Sequence, residues 1–121
     1  MVKALFDTNI LIDYLNAVPP AKDEFGRYEK RAISIITWME VLIGARPEVA
    51  DATRRFLNAF EVVAVDHEIA ERAVHLRQLH RMKLPDAIIW ATADTRSMIL
   101  VTRNTKDFPG DLPGIRVPYR L

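Results

Sequence analysis

The chain has 121 residues, half of them hydrophobic, which suits one domain spanning 1–121 with a packed core and excludes a disordered segment. It has no cysteine, so disulfides, thiolate zinc sites and thiol nucleophiles are excluded together. A formal net charge of +1 gives no global field toward nucleic acid or membrane, although twelve arginines against five lysines supply planar forks suited to phosphate and carboxylate.

Residues 2–6 read as a buried strand and 8–16 as a short helix. The stretch 17–31, with Pro19, Pro20 and Gly26, reads as a loop with at most one helical turn. A second strand is expected over 32–36, a helix from Thr37 to about Ala45, and another from Pro47 to about Phe60. A third strand follows at 61–65. Asp66 then caps a helix to about Met82, whose apolar positions are Ile69, Ala70, Ala73, Val74, Leu76 and Leu79. Pro85 opens a helix to about Thr95, a fourth strand covers 98–102, and 115–117 adds a short fifth. Strands alternating with helices predict an α/β fold: a parallel sheet covered on both faces. Asp7 interrupts the first apolar stretch, and no apolar run nears the roughly 20 residues that span a bilayer. A soluble, cytoplasmic protein without membrane association is expected.

Three acids stand where strands hand over to helices or in a first helical turn: Asp7, Glu40 and Asp86. In a parallel sheet every strand's carboxyl end lies on one edge, so Asp7, Thr37 with Glu40, and Thr102 with Asn104 and Asp107 are expected to converge there. Asp86 shares a helix face with Ile89, Trp90 and Ala93, so it points inward. Each acid also has an ordinary structural role. Asp7 can cap the first helix, Thr37-x-x-Glu40 matches a capping box, and Asp86 favours a helix N-terminus. Together, converging carboxylates repel unless a cation lies between them. With no cysteine and no His-x-x-x-His pair near the acids, the ligands are oxygens, which selects Mg²⁺ or Mn²⁺. His67, His75 and His80 read as surface or capping residues; Trp38 and Trp90 read as core. Such an ion suits phosphodiester hydrolysis, and Arg77, Arg81, Lys83, Arg103 and Lys106 are placed to hold a nucleic-acid backbone.

Four segments carry a family resemblance: AspThrAsnIleLeuIleAsp, ThrTrpMetGluValLeuIleGly, LeuProAspAlaIleIleTrpAlaThrAla and LeuValThrArgAsnThrLysAspPhe. In this order and spacing they resemble the PIN-domain ribonucleases, in particular the VapC-type toxins of toxin–antitoxin pairs. The resemblance implies a three-layer α/β/α fold around a parallel sheet of about five strands. It implies a Mg²⁺- or Mn²⁺-dependent endoribonuclease, with Asp7 and Asp86 as metal ligands and Glu40 as the third acid. Asn9 and Thr102 match polar residues that shape the site. Many relatives place Asp where Asn104 stands, and Asp107 follows three residues later. Either Asn104 or Asp107 therefore fills the fourth position, and one tightly held metal is favoured. The family also implies an RNA substrate, a VapB-like antitoxin and a homodimer. The segment from Ile10 to Ala45, with Leu11, Tyr14, Leu15, Leu42 and Ile43, is a candidate partner groove, although core packing explains most of it. Two other readings compete. An aspartyl-phosphate hydrolase or a phosphoacceptor receiver is poorly matched, because Asn9 stands where a second acid is needed. The other is a non-catalytic α/β interaction module whose acids only cap helices.

Overall fold

A computed structural model describes residues 2–121. Alternation along the strands explains its layers. Leu5, Ala32 and Leu100 face one side of the sheet, while Ala4, Phe6, Ile33 and Val101 face the other. The elements in chain order are β1 (Lys3–Phe6), α1 (Thr8–Leu15), α2 (Pro19–Phe25), β2 (Lys30–Ser34), α3 (Ile35–Gly44), a 3₁₀ turn (Pro47–Val49), α4 (Ala50–Asn58), β3 (Glu61–Val63), α5 (His67–His80), α6 (Leu84–Thr95), β4 (Ile99–Val101) and β5 (Ile115–Arg116).

The sheet order is β3-β2-β1-β4-β5, and each described pair runs parallel. One face packs against Ile69, Ala73 and Leu76 of α5 and Ala87, Ile89 and Trp90 of α6. The other carries α1 to α4 through Ile10, Leu11, Ala21, Phe25, Val41 and Leu57. There Phe6 sits at the centre of an aromatic cluster, with its ring centroid 4.9 Å from Phe25 and 6.0 Å from Phe60. This is the expected α/β/α layering with five strands.

The strand order fixes where a ligand can bind. The chain steps outward from β1 to β2 and β3, then crosses back to continue with β4 and β5 on the other side of β1. The direction of winding reverses between β1 and β4. Their diverging connections leave a crevice at the carboxyl ends, the common ligand position in open parallel sheets. Asp7 immediately follows β1 and Thr102 immediately follows β4.

Several boundaries differ from expectation. Residues 17–31 are not a plain loop, because Pro19–Phe25 forms α2. Its prolines occupy the first turn, where a missing N–H costs nothing. The second strand ends at Ser34, and α3 begins at Ile35 rather than Thr37. Ser34 caps α3 by accepting from the Ile36 amide, so the capping box read at Thr37 does not form. Asp66 caps α5 as expected, accepting from the Ile69 amide at 2.8 Å. Of the apolar positions at helical spacing on that helix, Val74 and Leu79 are 53% and 64% exposed. Among the described residues no helix is long and apolar enough to cross a membrane.

Candidate metal centre and active site

Asp7 lies at the base of the crevice and is 4% exposed. Its amide extends the sheet by donating to the Val101 carbonyl at 2.9 Å. Its carboxylate serves both as helix cap and as the hub of a network. Oδ1 accepts from the Thr8 amide at 2.7 Å; Oδ2 accepts from the Thr102 hydroxyl at 2.7 Å and from Asn9 Nδ2 at 3.1 Å. Burial pushes its pKa from 3.8 up to about 6, against the Thr102 and Thr8 hydrogen bonds, which favour the anion. The charges of Asp86 and Glu40 add to the upward push. Among the described residues no lysine or arginine pairs with this carboxylate.

Asp86, in the first turn of α6, is half-buried. Desolvation raises its pKa most, followed by the charges of Asp107 and Glu40, with Lys83 opposing. Asp7 therefore lies in the field of Asp86 and Glu40, and Asp86 in that of Asp107 and Glu40. The charge of Asp86 reaches Asp7, the residue that follows β1.

Glu40 projects from α3 at the exposed rim. Its Oε1 accepts from the Thr8 hydroxyl at 2.7 Å, and Thr8 Oγ1 lies 3.0 Å from that of the buried Thr37. A hydroxyl has one proton, so while Thr8 donates to Glu40 the Thr37 hydroxyl donates to Thr8. Glu40 thus turns toward α1 instead of back to its own helix.

The loop after β4 supplies the remaining groups. Thr102 is fully buried, and its Oγ1 accepts from the Asn104 amide at 3.0 Å while donating to Asp7. Asn104 grips Asp107 reciprocally. Its Nδ2 donates to Asp107 Oδ2 at 3.0 Å, and its Oδ1 accepts from the Asp107 amide at 3.1 Å. Asn104 therefore holds the acid whose charge reaches Asp86.

Among the described residues no three His, Asp or Glu side chains stand close enough to ligate one ion directly. The set fits an ion held by one or two carboxylates with water completing the shell, as Mg²⁺ usually is. The crevice donors are all oxygens, and a cation would favour the charged form that burial disfavours at Asp7.

Lys106 is exposed and Lys83 lies within the field of Asp86. Arg103 corrects an expectation. Its guanidinium is taken by Asp13, with Nε donating to Oδ2 at 2.6 Å and Nη2 donating to Oδ1 at 2.9 Å. It is placed as a brace, not as a free phosphate contact. Thr8 and Asp13, beside the site, and Glu24, away from it, escaped sequence reading. Asp13 and Glu24 are buried acids, 4% and 3% exposed, and each takes a two-pronged arginine. The signal available was position: Asp13 lies one turn beyond Asn9 on a helix that buries Ile10 and Leu11. His67, His75 and His80 are exposed, and Trp90 is buried as expected.

The PIN domain family model matches residues 4–109. Ribonuclease VapC10 of Mycobacterium tuberculosis is 33% identical over 113 residues, covering 87% of this chain and 85% of its own length. The tRNA(fMet)-specific endonuclease VapC of Shigella flexneri is 32% identical over 120 residues, covering 89% and 91%. A chain of a toxin-antitoxin complex from Klebsiella pneumoniae superposes with a TM-score of 0.93 at 48% identity, over 98% of this chain and 100% of that one. DNA-bound VapBC from Salmonella typhimurium gives 0.78 at 27%, over 99% and 98%. With the family model matching residues 4–109 and these relatives along nearly its whole length, the chain belongs to the PIN-domain family and, within it, to the VapC ribonucleases.

Proposed function

We propose that this protein is the toxin of a VapBC-type pair, a cytoplasmic endoribonuclease that hydrolyses RNA phosphodiester bonds with Mg²⁺, for which Mn²⁺ can substitute. One observation carries the reading: Asp7 is buried without a basic partner, yet shares its field with Asp86 and Glu40. A helix cap alone needs neither the burial nor the neighbouring acids, which disfavours the interaction-module reading.

Asp7 and Asp86 would hold the divalent ion, which when bound polarises a phosphoryl oxygen and acidifies water. Thr102 and Asn9 orient the Asp7 carboxylate by donating to Oδ2. Glu40, which accepts from the Thr8 hydroxyl, would orient the attacking water and accept its proton. Asp107, held by Asn104, is the fourth acid. Lys106 and Lys83 offer exposed charge for the phosphates on either side.

A groove of about 470 Å³ adjoins Glu40, lined in part by Ile12, Leu15, Val41 and Val49. Leu11 is fully buried, so the core claims it, whereas Leu15 and Ile43 are 44% and 84% exposed. Toxin–antitoxin complexes among the solved relatives support a VapB-like antitoxin as partner. It would occupy this groove and send a basic side chain among the acids, and the chain would form a homodimer. One relative's name specifies tRNA(fMet), so transfer RNA is the first substrate to assay. Purified protein should cleave RNA in Mg²⁺, lose cleavage in EDTA, and lose it in Asp86→Asn. Cleavage unchanged in EDTA and in that variant overturns the reading.

A further inference from the structure

The loop that follows β4 and carries Thr102, Asn104 and Asp107 is held in register against α1, because Thr102 meets Asp7 and the Arg103 amide meets Asn9. Arg103 is the residue that holds it. Its amide donates to Asn9 Oδ1 at 3.2 Å, and its guanidinium reaches Asp13, one helical turn further along α1. Asn9 in turn donates to Asp7 Oδ2. The carboxylate of Asp13 receives a third bond, from the Tyr119 hydroxyl to Oδ2 at 2.8 Å. Tyr119 belongs to the segment after β5, far from the crevice in sequence. Burial and the Asp13 hydrogen bond raise the Tyr119 pKa, so its hydroxyl remains a donor throughout the working pH range.

A second cluster has the same chemistry. Glu24 of α2 takes Nε of Arg116 at 2.7 Å, Nη2 at 3.1 Å and the Tyr28 hydroxyl at 3.1 Å. It is equally buried, and its side chains make no hydrogen bond to Asp7, Asn9, Thr102, Asn104 or Asp107. Both clusters fasten the amino-terminal helices to the carboxyl-terminal part of the chain. The Glu24 cluster meets the crevice only through the sheet, where the Arg116 carbonyl accepts from the Thr102 amide at 3.0 Å, whereas the Asp13 cluster holds the loop after β4.

We propose that Asp13 and Tyr119 are positioning residues for the nuclease site: through Arg103 they set the loop bearing Thr102 and Asp107 against Asn9 and Asp7. This rests on the nuclease reading above. The cluster works as a chain in which Tyr119 fixes one oxygen of Asp13, Asp13 fixes both prongs of Arg103, and Arg103 fixes the loop through its own backbone. Loosening it displaces the loop groups relative to Asp7 while the sheet remains intact.

Glu24→Gln provides the matched control, since it damages an equivalent buried pair elsewhere. Parent, Asp13→Asn, Tyr119→Phe and Glu24→Gln are compared in three ways: thermal unfolding, Mn²⁺ affinity by calorimetry, and kcat and KM for RNA cleavage well below every Tm. Asp13→Asn and Tyr119→Phe should weaken Mn²⁺ binding or lower kcat by about tenfold, the lower end for groups that orient metal ligands, with KM little changed. Glu24→Gln should lower Tm yet keep parental kcat and Mn²⁺ affinity. If all three variants only lose Tm, the positioning role is overturned and Asp13 merely stabilises the fold. Should Asp13→Asn fail to fold, Tyr119→Phe, which removes one hydroxyl, decides alone. A parent that neither binds Mn²⁺ nor cleaves RNA overturns the nuclease reading and this proposal with it; a parent active beside fully active variants overturns only the proposal.

Discussion

The Thr102 hydroxyl donates to Asp7 Oδ2 at 2.7 Å, joining residues 95 positions apart at the point where the sheet's winding reverses. Both groups are buried. This bond ties the end of β1 to the end of β4 and helps fix the orientation of the Asp7 carboxylate.

Thr102→Val removes that donor while keeping the shape, and it leaves the Asn104 amide without its acceptor. A buried polar group left unmatched costs about 1–3 kcal/mol. Urea denaturation should show a lower midpoint with unchanged slope. Because the Thr102 bond lowers the Asp7 pKa, its loss should push that pKa further up, observable as a carboxyl titration by NMR.

Asp7 itself predicts the pH dependence of the metal-free protein. Its folded pKa, about 6, lies above the unfolded 3.8, so the folded state binds the proton more tightly. Stability therefore falls as pH rises from about 4 through 6 and stays lowered above that. Two units correspond to a destabilisation on the order of 2–3 kcal/mol. Asp7→Asn, which cannot ionise, should flatten that part of the profile in denaturant melts recorded in EDTA. A parent profile as flat as the variant's would contradict the assigned burial of charge.

Part of this site was legible in the sequence because polar residues follow apolar runs that read as strands. Asp7 after AlaLeuPhe and Thr102 after IleLeuVal are such cases, and Asp66 and Pro85 announced their helices by cap chemistry. Two local readings failed for identifiable reasons. IleSerIleIle looks like one β-branched strand, yet Ser34 caps a helix within it, so Ile35 and Ile36 begin α3. Pro19 and Pro20 read as breakers, but at a helix start their fixed φ is an advantage, and α2 packs Ala21 and Phe25 inward. The buried acids Asp13 and Glu24 were invisible, because their arginines lie 90 and 92 residues away and no local pattern encodes such pairs. For the same reason Arg103 looked like a free phosphate ligand.

Asn104→Ala tests the grip on the fourth acid. Asp107 loses the hydrogen bond donated by Asn104 Nδ2, and its amide loses the Asn104 Oδ1 acceptor. Steady-state RNA cleavage should lose about tenfold in kcat, with little change in KM, since the residue orients a reacting group instead of binding substrate. An unchanged kcat would remove Asp107 from the chemistry.

Phe6→Ala tests the fold beneath the site. Phe6 is fully buried and meets Phe25, Tyr28 and Phe60 edge-on. Truncation should cost about 3–5 kcal/mol, measured by chemical denaturation. The change lies next to Asp7, so surviving folded protein should still bind metal if β4 continues to position Thr102.

Titration of Mn²⁺ into metal-free protein at pH 7, followed calorimetrically for the parent, Asp7→Ala and Asp86→Ala, measures most directly whether these carboxylates form one cation site. The expected result is saturable binding by the parent and its loss in both variants, each retaining the parental circular dichroism spectrum. A parent that takes up no ion, or an Asp7→Ala variant that binds as tightly as the parent, would contradict the metal-dependent account.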